Sequence, residues 1–219
     1  WFHGKRLLER PFQEVLASGK PDFPFCLAWA NESWSRRWLG EERNVLMEQS
    51  YSEPDDQNHA RWLLPALADS RCIRVNGRPL FLIYRPIPLP NPKRTAETLR
   101  NECIKAGLPD PFLLGIDGHS AGTDCRQLGF DGTLRFEPQL GALPRAFEDE
   151  PSWGRLRQNL KLGVFSRELK VYDYTEGRRL MNRAKYDHPY FPSVCVGWDN
   201  TPRRGDKGVI MINNTPDAF

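Results

Sequence analysis

The sequence predicts an α/β fold, specifically part of a (β/α)₈ barrel of the TIM type, and three observations predict it. Short apolar runs of strand length alternate with stretches of helical period, at intervals of roughly thirty to fifty residues. The runs are nearly continuous in apolar residues, as strands of a parallel sheet covered on both faces are. Five such units in 219 residues fall short of the roughly 250 residues that a complete barrel usually occupies.

The elements follow in order. KRLLERPFQEVLASG (residues 5–19) places Leu7, Leu8, Phe12, Val15 and Leu16 near the helical period and ends at Gly19, with Pro11 marking a start or a kink. FPFCLAWA (23–30) reads as a buried strand. DDQNHARWLLPALAD (55–69) is a helix with acids at its front, and RPLFLIYRP (78–86) is the next strand. Residues 93–106 form a helix capped by Gly107, PFLLGID (111–117) a strand, and 123–128 a brief helix. GTLRFEP (132–138) and YFPSVCVGWDN (190–200) complete the five strands, while KVYDY (170–174) suits a short strand or the lead-in to a helix. Residues 139–169 lack a clean period and carry Pro144, Pro151 and many charges, which suits a surface insertion within one incomplete barrel domain spanning 1–219. A first residue of Trp1 ahead of a helix, and a last of Phe219 after Thr-Pro-Asp, read as the ends of an internal fragment.

A net charge of +3, with both signs spread along the chain, provides no basic face for nucleic acid. No apolar run has the length of a transmembrane segment. The five cysteines, Cys26, Cys72, Cys103, Cys125 and Cys195, are widely spaced without a C-x-x-C pair, which fits small buried hydrophobes in a reducing, cytoplasmic compartment. Neither a histidine pair at metal spacing nor a G-x-G-x-x-G turn occurs, so no metal, no dinucleotide and no other cofactor is expected.

Function in parallel α/β folds gathers where strands end. The densest such place is AWANESWSRRWLG (28–40), with three tryptophans, an Asn-Glu pair and two arginines. Trp29, Asn31, Glu32, Trp34, Arg37 and Trp38 follow the first strand; Tyr84 and Arg85 the second; Asp117 and His119 the third; Glu137 the fourth; Trp198, Asp199, Asn200 and Arg203 the last. Indole faces pack on the C–H faces of a pyranose, and amide, carboxylate and guanidinium groups bind its hydroxyls. Glycosyl transfer needs carboxylates, which makes Glu32 and Glu137 the candidate catalytic pair. Each has a plainer reading: Trp29 and Trp198 as packing residues, Glu32 as a helix-start acid or a partner of Arg36 or Arg37, and Glu137 as a partner of Arg135. His59 and His188 read as structural.

FCLAWANESWSRRWLG, the DDQNHARWLL helix, NGRPLFLIYRP, GFDGTLRFEP and VGWDNTPRRG together resemble the WbsX-type glycosyltransferase family of bacterial polysaccharide clusters, also described as carrying a glycoside hydrolase family 99-like domain. The resemblance implies a glycan-active (β/α)₈ barrel of lipopolysaccharide or O-antigen biosynthesis. Its substrate is an oligosaccharide or polysaccharide, with a nucleotide-sugar donor if the reaction is transfer. Tyr174 joins the expected substrate contacts. Family members continue into a last strand ending in Asn-Glu-Trp with a second glutamate close behind. This chain stops before that strand and lacks the first and most of the second, so its residues are expected to form mainly the substrate-contacting part of the pocket. An α-mannosidase-like hydrolase, a non-catalytic carbohydrate-binding barrel and an inactive fragment stand as alternatives. Arg203 and Arg204 beside Asn200 and Thr201 are the only hint of a diphosphate cradle.

Overall fold

Apolar strands set side by side in chain order organise the computed structural model, which describes residues 1–36, 41–118, 122–143, 146, 169–183 and 186–218. The chain groups into two compact units: residues 1–34, 47–135 and 187–192 form the first, and 35–46, 136–186 and 193–219 the second.

The first unit is a parallel sheet. β1 (Leu27–Trp29), β5 (Arg78–Ile83), β6 (Phe112–Asp117), β7 (Gly132–Arg135) and β9 (Tyr190–Phe191) lie in that order, each parallel to its neighbour. Parallel strands in sequence order are what successive βα units produce, and the arrangement is compatible with an arc of an α/β barrel. β4 (Arg74–Val75) is an antiparallel addition to β5, joined through Asn76 and Gly77 with φ of 51° and 80°, the conformation of a two-residue hairpin turn. β2 (Trp34–Arg36) and β3 (Glu41–Met47) form a separate two-stranded ribbon.

Two helices cover one face. α1 (Arg10–Ser18) begins with Pro11 in its first turn and ends at Gly19 with φ 69°, so the proline starts the helix rather than kinking it. In α2 (Glu53–Ala68) the Ser52 side chain accepts from the Asp55 N–H, and Glu53, Asp55 and Asp56 occupy the first turn, where the helix dipole favours acids. α3 (Pro92–Lys105) starts on Asn91, which accepts from the Arg94 N–H. Its buried residues Thr95, Ala96, Leu99, Glu102 and Cys103 recur every three to four positions and face inward. Thr95 donates to Asp56 at 2.8 Å, and Glu102 receives Arg61 at 2.8 Å and Lys105 at 2.7 Å, which fastens α3 to α2. Beneath them Leu63, Leu67, Phe81, Ile83, Leu99 and Leu113 form the main core; Leu82, Leu114 and Ile116 cluster on the other sheet face. Cys72, Cys103 and Cys125 are buried as small hydrophobes, and burial pushes the Cys103 and Cys125 thiols up to about 11.

The strand predicted over 23–30 is shorter and drier at only one end. Phe23 is 70 % exposed and Cys26 is exposed; both precede β1, which among the described strands pairs with β5 alone. Likewise, of the strand predicted over 190–200, Tyr190–Phe191 pairs with β7, while Asp199 forms an isolated antiparallel bridge with Ile210. Pro192 lacks the N–H a ladder needs, and Val194 and Val196 beyond it are 72 % and 68 % exposed.

In the second unit, β8 (Lys170–Asp173) pairs in parallel with β10 (Val209–Ile212), a strand the apolar run VIMI hides by its shortness. α4 (Tyr174–Arg183) follows β8 directly, so KVYDY is both strand and helix lead-in. Tyr172, Tyr174, Val209 and Met211 form this unit's core, with Leu140, Leu143 and Cys195 against them. α5 (Thr201–Arg204) is a single turn. Gly197, at φ 143°, lies where an added Cβ would come within 2.3 Å of the Asn214 amide. Most of the expected insertion at 139–169 falls outside the described residues. No helix among the described residues is long and apolar enough to cross a membrane.

His59 on α2 is enclosed by rings: Trp1 stacks on it at 5.1 Å, Trp29 meets it edge-on at 4.6 Å, and Phe81 stands at 6.1 Å. Burial drives its pKa down to about 3. The folded protein therefore keeps this ring neutral while the unfolded chain protonates it below about pH 6.5. Stability should fall as pH drops from about 6.5 toward 3, and His59→Phe should flatten that stretch of the profile in urea titrations; an unchanged slope would refute the assignment.

Candidate functional site

At the carboxyl end of the sheet the backbone ladder between β1 and β5 closes with Tyr84 N–H donating to the Trp29 carbonyl at 3.0 Å. One step further on, a side chain takes over. Asn31, 1 % exposed, accepts the Arg85 N–H on Oδ1 at 2.7 Å and donates Nδ2 to the Arg85 carbonyl at 2.8 Å. Its carboxamide thus acts as an extra peptide unit, satisfying both backbone groups of Arg85 where no strand remains to do so. The Asn31 carbonyl in turn accepts from the Tyr51 hydroxyl at 2.8 Å. Burial, reinforced by Glu32 and Asp56, pushes that hydroxyl's pKa up against the opposing pull of Asn31 and Arg85.

This clamp fixes the charged pair above it. Glu32 turns back on β1 through its N–H to the Ala30 carbonyl at 3.0 Å, and its Oε2 accepts from Arg85 Nη1 at 2.9 Å. The glutamate and arginine side chains are 37 % and 28 % exposed, so the pair is open to a ligand. Arg85 also lines a cleft of about 70 Å³ with Tyr84, Pro86, Ile87, Pro88, Ile116, Asp117 and Thr123. Asp117, 2 % exposed, ends β6 and accepts the N–H groups of Gly122 at 2.8 Å and Thr123 at 3.2 Å. Arg135, also buried, stands opposite it in the β6–β7 register. Within the first unit, then, Asn31, Glu32, Tyr84, Arg85 and Asp117 gather at the strand ends. Trp34 is half-buried and meets Phe2 edge-on at 5.7 Å.

Trp29 lies elsewhere. It is 5 % exposed, its ring packs on His59 and Tyr51, and its Nε1 donates to the Trp1 carbonyl at 3.1 Å. This corrects the expectation of a sugar-facing indole: the inward phase of β1 puts it in the core. Tyr174 is corrected in the same way, being 2 % exposed with its hydroxyl on the Cys195 carbonyl at 2.8 Å.

The other residues of the second unit stand as follows. Glu137 is nearly buried; its N–H donates to Ser193 Oγ at 2.8 Å and its Oε2 accepts the Gln139 N–H at 3.0 Å. Asp199 accepts both the Thr201 hydroxyl at 2.6 Å and its N–H at 2.8 Å, which hold its carboxyl below the usual range. Asn200 Oδ1 accepts the Val209 N–H at 2.7 Å, tying the segment to β10. Trp198 is 46 % exposed, and Arg203 is exposed on α5. Arg37, Trp38 and His119 lie outside the described residues. The sequence reading missed Tyr51, Thr123 and the proline wall; Tyr51 stands one residue before a helix cap, a position that carries no chemical signal of its own. Among the described residues no group of three or more His, Cys, Asp or Glu could hold a metal ion.

The sheet is of the parallel α/β class, in which ligands as a rule bind outside the carboxyl ends of the strands, and here those ends bring a carboxylate, a guanidinium and a tyrosine together beside a cleft. Within that class, the chain belongs to the family described as Glycosyltransferase WbsX, which it matches over residues 1–219. It is 37 % identical over 220 residues to "Uncharacterized protein WxcX" of Xanthomonas campestris pv. campestris strain B100, and 37 % identical to the protein of the same name from strain ATCC 33913. In both cases the alignment covers 100 % of this chain and 30 % of the relative, so the chain spans about a third of the length of these relatives. No solved structure matches it.

Replacing Asn31 by alanine should destabilise the protein by about 1–3 kcal/mol, because two partly buried backbone groups of Arg85 lose their partners together. Chemical denaturation checks this, and a loss below about 0.5 kcal/mol, the level of an ordinary surface substitution, would mean the clamp is dispensable.

Proposed function

We propose that this chain forms the glycan-contacting part of a bacterial hexosyltransferase that builds a cell-surface polysaccharide of lipopolysaccharide or O-antigen type, working in the cytoplasm. The observation that carries this reading is the Glu32–Arg85 pair, held open beside a cleft at the carboxyl end of a parallel sheet. Membership of the WbsX glycosyltransferase family supports it. The pair supplies what a sugar hydroxyl asks for, an acceptor and a charged donor side by side. Trp34 offers partly exposed aromatic surface in the same stretch of chain.

Glycosyl transfer builds positive charge at the anomeric carbon, and a fixed carboxylate stabilises it. Glu32 is our candidate for that role, and Glu137 is proposed as the second carboxylate. The donor is a nucleotide sugar and the acceptor a growing oligosaccharide or polysaccharide. The parent protein's reaction would draw on parts beyond these residues.

The test uses the full-length protein. Glu32→Gln and Trp34→Ala should each lower kcat/KM for sugar transfer by more than about tenfold while leaving the melting temperature unchanged. Unaltered turnover in folded variants rules the assignment out. Release of free sugar from a glycan without consumption of any nucleotide sugar would assign hydrolysis instead, and glycan binding with neither reaction would assign a binding barrel.

A further inference from the structure

The two ends of the first unit's sheet use arginine in opposite ways. At the amino end Arg78 is saturated: it donates to Asp131 at 2.7 and 3.1 Å, to Asp110 at 2.7 Å and to the carbonyls of Asp110 and Pro111. At the carboxyl end Arg85 makes a single side-chain bond among the described residues, from Nη1 to Glu32. A guanidinium has five N–H donors, so most of its capacity is open. Glu32 is in the same condition, since among the described residues its side chain is engaged through Oε2 alone, by Arg85.

Resting on the glycan reading above, we infer that this pair selects an uncharged sugar residue, binding two neighbouring hydroxyls across the ion pair, and that it rejects sugars bearing a carboxylate or phosphate. A hydroxyl both donates and accepts. One hydroxyl can donate to Glu32 Oε1 while its neighbour accepts from Arg85, and each partner's unmet capacity is filled. A carboxylate or phosphate can accept from Arg85 but has no proton for Glu32, and its charge would lie against that of the glutamate. Among the described residues lining the cleft, Arg85 is the only basic one and Asp117 the only acidic one, and Arg135 stands opposite Asp117 in the sheet register. The site therefore holds the sugar ring and not the diphosphate of a nucleotide-sugar donor.

Saturation-transfer NMR and calorimetry on the full-length protein test this with methyl glycosides of glucose, galactose and mannose, each paired with its hexuronic acid counterpart. At least one neutral glycoside should bind, at least tenfold tighter than its uronate. Glu32→Gln should weaken the neutral glycoside about tenfold and narrow the gap to the uronate, because the amide adds a donor and removes the charge; Arg85→Met, which keeps the bulk of the stem, should lose binding of the neutral sugar. A uronate that binds as well as or better than its neutral partner, or an unchanged gap in a folded Glu32→Gln variant, overturns this inference and leaves the glycan reading standing. Binding of no glycoside of either kind overturns both.

Discussion

A single carboxamide decides whether the carboxyl end of the sheet has a site at all. The backbone of β1 stops pairing at Trp29, and without a substitute the Arg85 N–H and carbonyl would be left to find partners on their own. Asn31 supplies both, within 2.8 Å, and is itself held by the Tyr51 hydroxyl. The position of the guanidinium, and through it of the Glu32 carboxylate, follows from that local extension of the ladder. Asparagine is suited to it because its carboxamide carries the donor and acceptor of a peptide unit on one planar group, and it is shorter than glutamine.

The rest of the first unit keeps the platform stiff. Asp131 receives Arg78, Arg100 and the Leu113 N–H, bringing the start of β6, the entry to β7 and α3 to one carboxylate. Burial alone would push that carboxyl up, yet these hydrogen bonds together hold it below the usual range. The pattern matches the division common to barrel enzymes, in which the amino ends of strands serve stability and the carboxyl ends serve chemistry.

The sheet and its helices were legible in the sequence because their signals are local. The periodicity of α2 and α3, the glycine after α3 and the apolar runs of β5, β6 and β7 are all short-range features of the chain. The short elements were not legible: β10 is four residues long, and β4, which the Asn76-Gly77 turn joins to β5, is two. The site was half legible. Asn31, Glu32, Arg85 and Asp117 stand out as polar residues after apolar runs, but the same rule offered Trp29, which the phase of the chain turns inward. A pattern of residue types marks where a strand ends; it does not tell which side chains continue the structure and which face the solvent. That difference between Asn31 and Glu32, adjacent in sequence, comes from Arg85, 53 and 54 residues away.

The proline wall of the cleft gives this arrangement room to diversify. Pro86, Ile87 and Pro88 shape one side of the cleft, yet they take no part in the bonds that fix Arg85 and Glu32. Ile87 is half exposed, and prolines carry no N–H whose loss would disturb a ladder. Substitution in this short stretch can thus reshape the pocket while the polar anchor stays in place. The shape of the cleft and the preservation of the fold are governed by different residues, a separation that lets one scaffold vary its cleft over evolutionary time.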